Sequence, residues 1–110
     1  MTNCIQIQWT CPSIEEARHI AHLLIEKKCV ACVNIVPRVE SIYEWEGKIE
    51  RHSEVEVLMK TQAGCFDEIT ALIKSEGSYD VPAVLVFPIT DGNKRYLDWV
   101  KCASRINPSK

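Results

Sequence analysis

Cysteine is the residue type whose number and placement first raise the question of chemistry: there are six in 110 residues, at positions 4, 11, 29, 32, 65 and 102. Cys29-Val30-Ala31-Cys32 has the spacing of a dithiol redox motif, which works when its first thiol sits at a helix N-terminus, where the dipole favours the thiolate. Here the pair follows the end of an amphipathic segment and enters a strand, so that assistance is missing, and residues three apart in a strand point to opposite faces. Buried structural thiols are the plainer reading, since free Cys is among the most buried residue types. A structural zinc site would need a second such pair, and Cys4, Cys11, Cys65 and Cys102 are scattered singly. Cys11 is better placed, in Thr10-Cys11-Pro12-Ser13 just ahead of a helix whose end would stabilise a thiolate. It is the chain's metal-ligand candidate, against the plain reading of a loop thiol with no task. His19 and His22 stand at i, i+3 with no third ligand in view, as a solvated helix face would have them; His52, among Glu50, Arg51 and Glu54, reads as surface.

The elements that position these residues begin from an ordinary globular composition, 46% hydrophobic and 25% charged, in a length that suits one domain over residues 1–110. Thirteen Lys and Arg against 15 Asp and Glu leave a formal charge of −2, the wrong sign for a domain built to neutralise phosphates. The longest wholly apolar runs, Cys29 to Val33 and Ala83 to Phe87, are five residues each, whereas a membrane helix needs about 20. The start of the chain lacks a charged segment followed by an apolar one. The expectation is a cytoplasmic protein with reduced thiols, bound to neither nucleic acid nor membrane.

Cys4 to Thr10 reads as a first strand. Pro12-Ser13 opens a helix with Ser13 as cap, Glu15 and Glu16 suiting its positive end, and Ile14, Ala17, Ala21, Leu24 and Ile25 as its apolar stripe. Cys29 to Val36 looks like a buried strand, interrupted by Pro37 before Val39 to Trp45. Gly47 marks a tight turn, and Glu54 to Lys60 alternates with Val55, Val57 and Met59 on one face. Phe66, Ile69, Leu72 and Ile73 form a second helical stripe ended by Gly77; Ala83 to Ile89 reads as a buried strand, and Tyr96, Leu97, Trp99 and Val100 lie on a last helix. The order β-α-β-β-α-β-α is that of an α+β, ferredoxin-like fold, split βαβ halves forming an antiparallel sheet with helices on one face.

The central hairpin is long for such a domain. An arm of 14 residues spans ~46 Å, against a radius of gyration of ~13 Å for a compact chain of this length. Ile42, Tyr43, Trp45 and Ile49 would overhang the core, and an exposed long strand is a pairing hazard unless covered. The economical cover is another copy of the chain, so a homo-oligomer is expected.

Other occupants of this fold can be checked against the residues. Small copper chaperones place a CxxC pair in the loop after the first strand; this chain has only Cys11 there. An acylphosphatase-like site needs an Arg in that loop, and Thr10 to Ser13 contains none. An RNA-recognition module needs stacking aromatics on its central strands, where this chain offers Val55, Val57 and Met59.

The run Ser41-Ile42-Tyr43-Glu44-Trp45-Glu46-Gly47-Lys48-Ile49-Glu50 resembles the hairpin tip of the divalent-cation tolerance family, CutA. Val30 to Ile35, Tyr79-Asp80-Val81-Pro82 and Gly92 to Trp99 are similar to further segments of that family, in order and without a large insertion from Ile5 to Trp99. The resemblance implies a non-enzymatic homotrimer paired through its hairpins, concerned with tolerance of copper or other divalent cations. It also implies kinship with trimeric PII signalling proteins, whose small-molecule sites lie between subunits. Family members reported to bind copper resemble one another in a Cys ending the first strand and a His pair before the Tyr-x-x-Pro segment; here those positions hold Trp9, Glu76 and Gly77, and the Glu that often follows the Pro is Ala83. Indole and glycine cannot replace thiolate and imidazole as ligands, and strand parity is expected to turn Cys11 away from Trp9's position.

The leading expectation is therefore a CutA-like divalent-cation tolerance homotrimer with copper ligands lost, Tyr43, Trp45, Ile42 and Ile49 at its interface. The alternative is a PII-like module that binds a small anionic ligand in an inter-subunit cleft, with Lys60, Glu46 and Tyr79 as the cleft candidates and Lys60 meeting the anion. Against that role, Lys60 could simply pair with Glu54 or Glu56.

Overall fold

A computed structural model describes residues 2–105. Strand β1 (Cys4–Cys11) leads into helix α1 (Ile14–Glu26), then β2 (Cys32–Trp45) and β3 (Lys48–Gln62), which form the long hairpin. A 3-10 turn (Ala63–Cys65) enters α2 (Phe66–Glu76), and β4 (Ala83–Pro88) and α3 (Lys94–Ala103) complete the chain. This is the β-α-β-β-α-β-α order expected. The sheet runs β2-β3-β1-β4 with every neighbouring pair antiparallel.

Alternation makes the core. Ile5, Ile7, Trp9 and Cys11 of β1 and Val55, Val57 and Met59 of β3 all point to one face and are buried against Ala17, Ile20 and Leu24 of α1 and Ile69 and Ile73 of α2. Removing each such large side chain from water contributes roughly 1.5–3 kcal/mol. The Ser13 hydroxyl caps α1 by accepting the Glu16 N–H at 3.2 Å. Helix α3 lies at the end of the sheet, with Leu97 and Val100 packed on Cys4 and Ala31.

The hairpin gives the molecule its longest dimension, 45 Å. Glu46 (φ 50°) and Gly47 (φ 81°) make a two-residue turn with both residues left-handed, the geometry that matches the twist of paired strands. Pro37 falls where the β2–β3 register slips, between Val36 and Val39; a residue without an N–H is tolerated at such an irregularity. Beyond the slip, Tyr43 pairs with Glu50 and Trp45 with Lys48, so these face away from α1 and α2; Ile42, opposite Arg51, and Ile49, opposite Glu44, lie on the reverse face. Both faces are exposed and apolar in the protomer: Trp45 is 63% accessible, Ile42 63% and Ile49 81%.

Three expectations change. Cys29 to Val36 is not one buried strand: Cys29 and Val30 are buried in the turn after α1, where the Cys29 N–H donates to the Leu24 carbonyl at 2.9 Å, and β2 starts at Cys32 as a half-exposed edge. Ala83 to Ile89 is likewise an edge, with Leu85 56% exposed on the face opposite the helices. On α1 it is Ile20, not Ile25, that reaches the core; Ile25 is exposed.

Candidate functional site

The loop between α2 and β4 brings Tyr79 back against the base of the hairpin. Its hydroxyl donates to Glu54 Oε2 at 2.8 Å. Burial first, and then the adjoining Glu54 carboxylate, push the Tyr79 hydroxyl up to about 12. Tyr43 stacks on His52 with ring centroids 5.7 Å apart and planes 25° from parallel. Two adjoining hollows of about 560 and 720 Å³ share Tyr43, Trp45, His52, Tyr79 and Val81; Glu54 borders the first, Glu50 and Asp80 the second. The structure thus gathers Tyr43, Trp45 and Tyr79 around one cleft.

Other candidates lie elsewhere in the protomer. Glu46 is at the hairpin tip, exposed and in a left-handed conformation. Lys60 donates through Nζ to Asn34 Oδ1 and stands six residues along β3 from Glu54, roughly 20 Å away in a strand. Neither carboxylate expected to pair with it does so: Glu54 receives Tyr79, and Glu56 accepts from Gln8 Nε2 at 3.0 Å. Ile42 and Ile49 belong to the reverse face. Sequence reasoning passed over Glu54 and His52 as cleft residues; the signal was present, since Glu50, His52 and Glu54 alternate along one face of β3.

The positions at which the family resemblance implies copper ligands do not fit a copper ion. Trp9 is a core residue, 1% exposed. Glu76 is engaged by His19, Nε2 to Oε1 at 3.1 Å. Gly77 ends α2 with its N–H on the Ile73 carbonyl at 2.8 Å, and a Cβ there would stand 2.6 Å from that oxygen. Cys11 requires two corrections. Two residues from Trp9, it shares Trp9's face and the same core, because parity repeats every second residue. Nor does the helix end make it a thiolate: burial is the largest effect and pushes its thiol up to about 11, and Sγ donates to the Ser13 carbonyl at 3.5 Å. Cys29 is also pushed up to about 11, chiefly by burial. Cys32 stands apart from it on β2, its Sγ toward Asn34 Oδ1 at 3.7 Å. The two cysteines of the motif diverge because one lies in a turn and the other on a strand.

An antiparallel four-stranded sheet, split βαβ helices and an elongated β2–β3 hairpin define a ferredoxin-like α+β protein of the extended-hairpin class. The chain belongs to the CutA1 divalent ion tolerance protein family, whose model it matches over residues 5–103. It is 45% identical over 100 residues to the divalent-cation tolerance protein CutA of Archaeoglobus fulgidus, covering 91% of this chain and 95% of that one. It is 40% identical over 101 residues to the chloroplastic protein CutA of Arabidopsis thaliana, covering 92% of this chain and 56% of that protein. Its fold is similar to the crystal structure of CutA1 from Oryza sativa, with a TM-score of 0.92 at 39% identity over 96% of this chain and 97% of that one. The chain spans about half the length of the plant and animal relatives it matches, 51% of human protein CutA among them.

Proposed function

We propose that the protein is a non-catalytic homotrimer serving tolerance of copper or another divalent cation, and that this role does not run through the positions of Trp9, Glu76 and Gly77. The observation that carries the assembly is the hairpin. Tyr43 and Trp45 on one face and Ile42 and Ile49 on the other are exposed, so a covering copy must sandwich the hairpin rather than cap one side. The exposed Leu85 and Phe87 of edge strand β4 extend the surface needing cover. Three is the number of copies the family resemblance implies. All six cysteines are free thiols, which suits work in a reducing compartment such as the cytoplasm.

The test is growth of a copper-sensitive host, lacking its own homologue, on graded copper. The chain is expected to restore tolerance, and Trp45→Asp to abolish it at equal protein level. Failure of the unaltered chain to raise tolerance would refute the proposal.

A further inference from the structure

We propose that Asp91 is a modification site: it isomerises to isoaspartate through a cyclic imide with Gly92, and the product is a substrate for a carboxyl methyltransferase of the isoaspartyl class. This goes beyond the tolerance role and does not depend on it. The reaction is intramolecular, so it needs no pocket, and it falls on the connection from β4 to α3, away from the hairpin. Of the four Asp and four Asn in the chain, only Asp91 precedes a glycine. That matters because the attacking nitrogen belongs to the next residue, and glycine has no side chain to crowd its approach. The Gly92 N–H donates to Asp91 Oδ1 at 2.8 Å, so the carboxyl group already lies against that nitrogen, and a held geometry of this kind favours ring closure. Residues 89–93 form neither helix nor strand, and Asp91 is exposed. The fold itself does not require glycine here. Gly92 lies outside the left-handed region that Gly47 occupies, and a Cβ on it would meet the Leu97 side chain at 3.5 Å, an ordinary contact.

The Gly92 nitrogen bonds to Cγ of the protonated Asp91 carboxyl, and the carboxyl hydroxyl leaves with the nitrogen's hydrogen as one water. A water then opens the imide ring at the Asp91 backbone carbonyl. The peptide link now runs through Cγ, and the former backbone carbonyl is a free carboxylate, the group a methyltransferase would esterify. Mass and charge return to their starting values and no oxidant or cofactor is used, but the backbone is one methylene longer. The insertion comes two residues before the cap of α3. Asn93 accepts the Tyr96 N–H on Oδ1 at 3.0 Å and the Leu97 N–H on its carbonyl at 2.9 Å, and Leu97 and Val100 pack that helix on Cys4 and Ala31. Displacing the cap frees the first N–H groups of the helix, so isomerisation loosens the first turn of α3.

The test incubates the reduced full chain for weeks in warm, near-neutral buffer. Samples are then probed by methyl transfer from labelled S-adenosylmethionine with a purified isoaspartyl methyltransferase, and peptide mapping locates the label. Label is expected to rise with time in the peptide that carries Asp91. Gly92→Ala, which the space beside Leu97 admits, should lower it about tenfold or more, and Asp91→Glu, at an exposed position, should remove it. Amide exchange at Tyr96 should be faster in the labelled fraction than in fresh protein. No label above that of a fresh sample, undiminished label in Gly92→Ala and Asp91→Glu, or label on Asp67, Asp80 or Asp98 instead would overturn the site. Unchanged Tyr96 exchange in an aged, labelled sample would overturn its effect on α3.

Discussion

Tyr79 donates its hydroxyl hydrogen to Glu54 Oε2 across 2.8 Å, joining two residues that lie 25 positions apart in the chain and fastening the loop ahead of β4 to the foot of the hairpin. The bond makes one wall of the cleft from two elements that share no local sequence signal. It also sets how that wall responds to pH. With the folded value raised to about 12 from an ordinary 10, the Tyr79 contribution to stability is fully present below pH 10 and is lost as pH rises through about 12. Ultraviolet titration of tyrosinate should show a late component that disappears in Tyr79→Phe and moves to lower pH in Glu54→Gln. A titration identical to the unaltered protein's in both variants would contradict the assignment.

Thiol reactivity should divide by burial. Cys11, pushed up to about 11 and buried, is expected to resist iodoacetamide at neutral pH in the native protein, while the exposed Cys102 on α3 reacts. Intact-mass and peptide analysis before and after denaturation checks this. Rapid native labelling of Cys11 would contradict its place in the core.

Placing at position 9 the Cys that the family resemblance implies for copper binding should cost stability before any gain in metal chemistry. Trp9 fills the centre of the core at 1% exposure, and truncating it leaves a cavity, so Trp9→Cys is expected to destabilise by about 3 kcal/mol. Guanidinium unfolding at fixed protein concentration measures the change.

Gly77 is held by space rather than by backbone conformation, since its φ is −88°. A methyl group would meet the Ile73 carbonyl at 2.6 Å and Glu16 Oε2 at 3.2 Å. Gly77→Ala should therefore destabilise by about 1–3 kcal/mol and loosen the end of α2, read as faster amide exchange at Gly77 and its neighbours.

Much of the fold was legible because alternation and helical spacing are local properties. Val55, Val57 and Met59 announced the inner face of β3, Ser13 announced the start of α1, and the arm length alone forecast an overhang that the 45 Å long axis matches. What the pattern could not separate was a central strand from an edge one. The apolar runs Cys29 to Val36 and Ala83 to Ile89 look alike whether a neighbour strand or a second protomer covers them, and among the described residues neither is covered by a strand on its outer side. The cleft was half legible. Tyr43, Trp45, Tyr79 and Lys60 stand out by the family resemblance, while Glu54 becomes a partner only through the return of the Tyr79 loop, and β3 carries Lys60 away from the cleft. Cys11 lies on Trp9's face rather than turned from it, because strand parity repeats every second residue.

Native mass spectrometry of the reduced protein, alone and with copper(I), copper(II) or zinc added, tests the proposed burial of the hairpin in a closed assembly of three chains. The expected result is three times the chain mass of 12.5 kDa with and without metal, and reversion of Trp45→Asp to the single-chain mass. A stable monomer of the unaltered protein, or a Trp45→Asp variant that stays fully trimeric, would contradict it.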